Sequence, residues 1–254
     1  MEVHHHPHVE NKGFKEYLLE GLMIFIAVTM GFFAENLREH FTDKKNEKQI
    51  ISALNKDLIK DTIRLHYIIN TYVPAYHSWV DSSHTYVDSL PLKGNERKIC
   101  RALFNATYWE SYTPPSIALT ILKNPATFSL IENEKVKKEI LNYNVSIDGY
   151  IKYGAFLTTL QHYIDTSFAS IVSRTTCREL LSKLVKRDNF LDNMDMPDLI
   201  IFKTYNIIVF QNYLNRIDYM DFKIHDINSY FNDLLHHDIE LLKLFDENYH
   251  IKNE

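Results

Sequence analysis

Glycine and proline are scarce in this chain, 6 and 7 in 254 residues, and most lie at candidate boundaries. Few turns can be built from so few breakers, which excludes a fold of many short strands and leaves long helices. No segment alternates apolar and polar residues convincingly, and no internal repeat is seen. Cysteine is nearly absent: Cys100 and Cys177 allow at most one intramolecular disulfide and do not define a redox compartment. Positive charge is not in excess. The net charge of -5 gives no sign of a nucleic-acid binder. No G-x-S-x-G, H-E-x-x-H or glycine-rich phosphate loop is present, so no cofactor is expected.

What is plentiful is aromatic and aliphatic. Tyr 16 and Phe 15 predict ring-rich cores and interfaces. The apolar residues concentrate first in "YLLEGLMIFIAVTMGFFAENLREH", Tyr17 to His40. From Gly21 to Ala34 there is no charge, and Thr29 carries the only hydroxyl. Eighteen residues from Tyr17 make roughly 27 Å of helix, close to a hydrocarbon core of about 30 Å. Glu20 then falls near one interface, where a carboxylate costs far less than at mid-bilayer. Lys15, Tyr17, Arg38 and His40 can anchor the ends.

Three readings compete for this stretch. A cleaved signal wants small residues at -3 and -1; Ala34 suits -1, but Phe32 at -3 does not. A buried globular helix would show a polar stripe, and Ile24 to Phe33 shows none. The reading adopted is an uncleaved span over residues 14–37, preceded by a flexible His-containing tail, 1–13, and followed by a helical soluble domain, 38–254. Glu20, Ala27, Gly31 and Ala34 lie roughly on one side of the span. Ala27 and Gly31 form a small-xxx-small pair, which lets two helix backbones approach. This face predicts a homo-oligomer or a membrane-protein partner; chance placement of small residues is the plainer reading. Lys12 and Lys15 precede the span while Arg38, Lys44, Lys45 and Lys48 follow it. That count alone would keep the following domain in the cytoplasm.

Beyond the span, Ile50, Ile51, Leu54, Leu58, Ile63, Leu65, Ile68, Ile69, Tyr72 and Val73 recur at helical steps, with a kink or break expected at Pro74. Arg97 to Tyr112 reads as a short helix ending before Pro114-Pro115, and Ser116 to Asn124 as another. Asn133 is a plausible cap for a long helix marked by Val136, Ile140, Leu141, Tyr143, Ile147, Ile151, Phe156, Leu160 and Ile164. Gly149 and Gly154 weaken that helix without ending it. A charged helix around Cys177 to Lys186 leads to a loop, and the last helix is expected to start near Pro197. The class is therefore all-α: one N-terminal transmembrane helix continuing into an antiparallel helical bundle.

"HHHPH", then "FKEYLLEGLMIFIAVTMGFFAENLREH", then "EKQIISALNKDL" resembles a family of uncharacterised bacterial single-pass inner-membrane proteins with a helical soluble domain. "TPPSIALTILKNPATFSLIENEKVKKEILNYN" is similar to a segment in related families of unknown function, although Asn124-Pro125-Ala126 stands where those often have Ser-Gly. The likeness covers roughly the first sixty residues well and about thirty more loosely. It implies an inner-membrane protein whose soluble part faces the periplasm, against the Lys and Arg count. It supplies no catalytic residue.

Candidate chemistry is sparse. His4, His5, His6 and His8 could bind a transition metal weakly in a flexible tail. Asp233 and His237 are spaced i, i+4 and could chelate. Polar residues on the wet face of a C-terminal helix explain that pair, with His236, Asp238 and Glu240, equally. Glu247 and His250 make one Glu-x-x-His, where helical di-iron sites need two. Tyr108, Trp109, Tyr112, Pro114 and Pro115 form either a binding platform or a packed corner. The leading reading is a membrane-anchored, non-enzymatic helical scaffold or sensor working through protein contacts. One alternative is a ligand-binding or enzymatic module with its site between bundle helices. A further alternative is a membrane-complex subunit in which Glu20 lines an ion path. A buried cluster of Asp, Glu and His would favour the module, and an apolar interior with an exposed aromatic patch the scaffold.

Overall fold

The computed structural model describes residues 13–115, 121, 124–173, 175–176 and 201–251. It is all-α: among these residues no strand forms, apart from one isolated antiparallel bridge between Val172 and Phe202. The helices are α1 (Phe14–Tyr67), a π-helical turn (Ile68–Tyr72), α2 (Val73–Ser89), α3 (Glu96–Thr107), α4 (Pro125–Ser129), α5 (Glu134–Ile171) and α6 (Ile207–Tyr249). The tail histidines and the expected helices at 116–124 and 177–186 lie outside the described residues, except for 121 and 124. Two compact units divide the chain, Met1–Ile51 and Ser52–Glu254.

In the first unit, every residue from Gly13 to Thr42 is exposed. Here α1 is long and apolar enough to cross a membrane. Its large side chains are exposed, Phe25 at 67% among them.

The second unit is built on heptads. Leu54, Leu58, Asp61 and Leu65 on α1 and Ile68 at the start of the π turn are buried at steps of four and three. Val136, Ile140, Tyr143, Ile147 and Tyr150 repeat the pattern on α5, and Met220 to Phe245 repeat it on α6. Such a 3.5-residue seam keeps one face of each helix turned to its neighbours. The seam, and not every apolar residue, decides burial. Ile63, Leu141, Ile151 and Phe156, expected inside, are exposed.

Cross-links fix the directions. Asn133 Nδ2 donates to Asn248 Oδ1 at 2.8 Å, and Tyr153 Oη to Asp226 Oδ2 at 3.0 Å, so α5 and α6 run antiparallel. His77 Nδ1 lies 2.6 Å from Asp221 Oδ1, and His84 Nε2 lies 2.5 Å from Asp218 Oδ1, which orders α2 antiparallel to α6. Tyr76 Oη donates to Ala106 O at 3.0 Å across the α2–α3 hairpin.

Three boundaries differ from expectation. Pro74 does not break the helix, which continues through it to Ser89. The turn before it is π-helical, with Val73 N–H donating to Ile68 O. A widened turn gives the proline ring room that a regular α-turn would deny it. The extra residue also steps the seam forward, so that Tyr72 and Val73 are both buried before the pattern resumes at Tyr76. Next, α3 stops at Thr107, five residues before the expected Tyr112, because side chains hold the following backbone extended. Gln161 Nε2 donates to Thr107 O, and Gln161 Oε1 accepts from Trp109 N at 3.1 Å. Tyr72 Oη donates to Tyr108 O at 3.1 Å and accepts from Glu110 N at 2.8 Å, while Tyr150 Oη donates to Tyr112 O at 2.8 Å. Last, α6 begins at Ile207, ten residues after Pro197, with Asn206 accepting from Ile208 N at 3.0 Å. The chain before it pairs with the end of α5, through Ser173 N to Ile201 O at 2.8 Å and Lys203 N to Ile171 O at 2.7 Å. Phe202 is thereby buried against Phe210, with ring centroids 5.1 Å apart. At the cap of α5 the sequence reading holds: Asn133 accepts from Lys135 N and Val136 N.

Tyr72→Phe removes one hydroxyl and strands two backbone groups. It is expected to destabilise the bundle by about 1–3 kcal/mol, a fall in Tm of about 2–4 °C per kcal/mol, read by thermal denaturation.

Candidate functional site

Two carboxyls occupy core positions of this bundle. Asp61 follows Leu58 by three residues on α1 and is 5% exposed; Asp238 follows Leu234 by four on α6 and is fully buried. Heptad geometry turns both inward, where a leucine would be the ordinary occupant. Tyr143 of α5 closes the layer from a third side, and Tyr112 enters from the extended segment after α3. Tyr112 Oη donates to Asp61 Oδ2, and Tyr143 Oη donates to the same oxygen at 3.3 Å. Neither Asp238 oxygen has an aligned hydrogen-bond partner.

The two acids are not equivalent. Burial raises Asp61, but the tyrosine donors, the neighbouring Asp238 and the Arg64 guanidinium pull it back toward the charged form. Arg64 lies over the Tyr112 ring, 5.8 Å from its centroid, and 3.8 Å from Glu110. Burial, and then the charge on Asp61, push Asp238 up to about 9. Two carboxyls forced together out of water cannot both ionise cheaply, so both are held toward the protonated form, Asp238 the more strongly. Tyr112 and Tyr143 are pushed well above the ordinary phenol range, chiefly by burial. They stay protonated and act as donors. At the rim, His237 Nδ1 lies 2.6 Å from Glu139 Oε1, with its ring 6.5 Å from that of Tyr143.

Several expectations change here. Asp238, assigned to the wet face of the C-terminal helix, is in the core. His237 pairs with Glu139 across to α5 and not with Asp233, which is exposed. At the aromatic-proline cluster the packed-corner reading holds, with Tyr108 alone of its aromatic rings exposed. Trp109 and Tyr112 are buried, and the Trp109 ring lies 5.3 Å from Tyr72, 5.7 Å from Tyr76 and 6.5 Å from Phe231. Glu20, Ala27, Gly31 and Ala34 are all exposed on α1, and a Cβ at Gly31 would meet nothing within 4 Å. No group of three or more His, Cys, Asp or Glu suited to a metal occurs among the described residues, and His4, His5, His6 and His8 lie outside them. Cys100 is buried, and Cys177 lies outside the described residues.

Of the two features set out to separate scaffold from module, both occur in part. The core contains two acids. The outer face of α5 and α6 carries an aromatic strip: Tyr153 stands 5.4 Å from Tyr230 and 6.0 Å from Phe156, and Lys223 Nζ lies 4.8 Å over exposed Phe222. Gly149 permits this packing, since a Cβ there would come 3.0 Å from the Tyr230 ring.

No family model, curated protein or solved structure matches the chain.

The proton on Asp238 has a measurable sign. Its unfolded value is near 3.8 and its folded value near 9. Between these the folded state holds a proton that the unfolded state has lost, so stability is full below about pH 4 and falls as pH rises toward 9. Between pH 5 and pH 9 this group is expected to cost at least about 1 kcal/mol, about 3 °C in Tm. Asp238→Asn, which mimics the protonated acid, should flatten that slope; an unchanged slope would place the proton elsewhere.

Proposed function

We propose that this chain is a membrane-anchored helical scaffold or sensor that works through protein contacts, is not an enzyme, and self-associates through its span. One observation carries the reading. The stretch from Gly21 to Ala34 carries no charge on any side of the helix and is exposed all round. A helix hydrophobic on all sides belongs in an apolar medium. Lipid is its first partner. The face of Glu20, Ala27, Gly31 and Ala34 is the least bulky side, and there a second copy or another spanning helix packs closely. By resemblance of its first sixty residues, the membrane is the bacterial inner membrane and the bundle faces the periplasm.

The rest of the reading draws on two further features. The aromatic strip around Phe222, 60% exposed, offers a contact surface of the composition that interfaces favour. Asp61 lies on the same helix, α1, as the apolar stretch. A proton-bearing layer on the anchoring helix suits a sensor better than a passive tether.

Alkaline carbonate extraction of cell membranes is expected to leave the protein in the pellet; release into the supernatant would remove the anchor. Gly31→Leu is expected to reduce the oligomer mass in detergent by light scattering, while an unchanged mass would refute the packing face.

A further inference from the structure

The α2–α3 hairpin leaves a half-open groove of about 380 Å³ outside the core, inside the range of roughly 300–1,000 Å³ typical of small-molecule sites. One wall is Trp79, Ser82 and Tyr86 of α2; the other is Lys98, Arg101 and Asn105 of α3. These residues follow three- and four-residue steps, so each set shares a helix face. The antiparallel register brings Trp79 toward Asn105 at one end and Tyr86 toward Lys98 at the other. The length from Asn105 back to Lys98 is about 10 Å at 1.5 Å per residue.

The ends differ in chemistry. The Trp79 ring is held in place by Tyr72 and Tyr76, at centroid distances of 6.0 and 6.5 Å, both edge-on. Beside it stands Asn105. The α3 wall then carries two cations, Arg101 one turn away and Lys98 two.

We propose that this groove binds a ring-bearing phosphate of nucleoside monophosphate size. The flat ring rests on Trp79, with its edge toward Asn105. The phosphate lies about two turns along, against Lys98 and Arg101. Two cations match a phosphate dianion better than a single carboxylate, and the guanidinium suits its oxygens. The site is a property of the hairpin and stands whether or not α1 enters a membrane.

The test is calorimetric titration of the full-length protein in lipid nanodiscs with adenosine 5′-monophosphate, adenosine and inorganic phosphate, with tryptophan fluorescence followed in parallel. The nucleotide is expected to bind saturably with a Kd below about 1 mM, and adenosine and phosphate each at least about tenfold more weakly. Lys98→Glu, an exposed substitution, should weaken the nucleotide at least about tenfold with the circular dichroism spectrum unchanged, and Trp79→Phe should abolish the fluorescence change. Absence of saturable nucleotide binding below about 1 mM, equal binding of phosphate alone, or indifference to Lys98→Glu would each overturn the proposal.

Discussion

A carboxyl facing a carboxyl inside a heptad core is the constraint to which the second unit is fitted. Leucine layers tolerate sliding by one heptad, because each layer resembles the next. A layer of Asp61, Asp238, Tyr143 and Tyr112 does not. Shift α6 against α1 by one heptad and each acid meets an apolar side chain, Phe231 or Phe245 for Asp61 and Leu54 or Ile68 for Asp238, with its oxygens unsatisfied. A single polar core position is known to fix register in this way, at a cost in stability. The asymmetry within the pair follows from its surroundings. Asp61 has two phenol donors and a guanidinium to favour its charged form, while Asp238 has only Tyr143 to offset its burial, and so Asp238 is pushed the further toward the protonated form.

The same layer explains why the segment after α3 is extended. Tyr112 reaches Asp61 only if the chain leaves the helix at Thr107 and crosses the bundle end. An extended backbone passing over a core must have its N–H and C=O groups paired, and here side chains do the pairing: Gln161, Tyr72 and Tyr150. The abundance of tyrosine thus has a specific use. At Tyr72, Tyr76, Tyr143, Tyr150 and Tyr213 the ring fills a core position while the hydroxyl binds a backbone carbonyl or Asp61. Phenylalanine would fill the space and leave those acceptors bare.

The helices were legible in the sequence because few glycines and prolines interrupt them, and Asn133 could be named as a cap from its position alone. The acid pair was legible too, but only to strict periodicity. Counting apolar residues takes in Ile63, which faces water, and passes over Asp61, which does not. Stepping four and three from Leu54 reaches Leu58, Asp61 and Leu65; the same steps on the last helix reach Phe231, Leu234, Asp238 and Leu241. An acid on a seam of leucines is a visible anomaly once the seam is drawn. Pro74 was misleading for a different reason. Whether a proline breaks a helix depends on whether the preceding turn can widen, and that depends on Tyr72 being held from outside by residues 36 and 38 positions later. The start of α6 likewise depends on Phe202 finding Phe210 and on pairing with the end of α5, which no local pattern announces.

Energetics separates the readings of the apolar stretch. Eleven large side chains between Leu18 and Phe33 stand exposed: Leu18, Leu19, Leu22, Met23, Ile24, Phe25, Ile26, Val28, Met30, Phe32 and Phe33. At about 1.5–3 kcal/mol each, covering them is worth on the order of 15–30 kcal/mol, more than the whole stability of a typical domain at about 5–15 kcal/mol. An exposed apolar surface of that size is the physical ground for the anchoring proposal: these side chains point in every direction around the axis, and a medium that surrounds the helix would meet the demand in full. In lipid the driving force for burying leucine against leucine would vanish, and a second helix would gain most where backbones can approach, along Ala27, Gly31 and Ala34. Glu20, on the same face, would then lie at the end of the stretch where water is nearest, so that close packing and charge would not compete for the same depth.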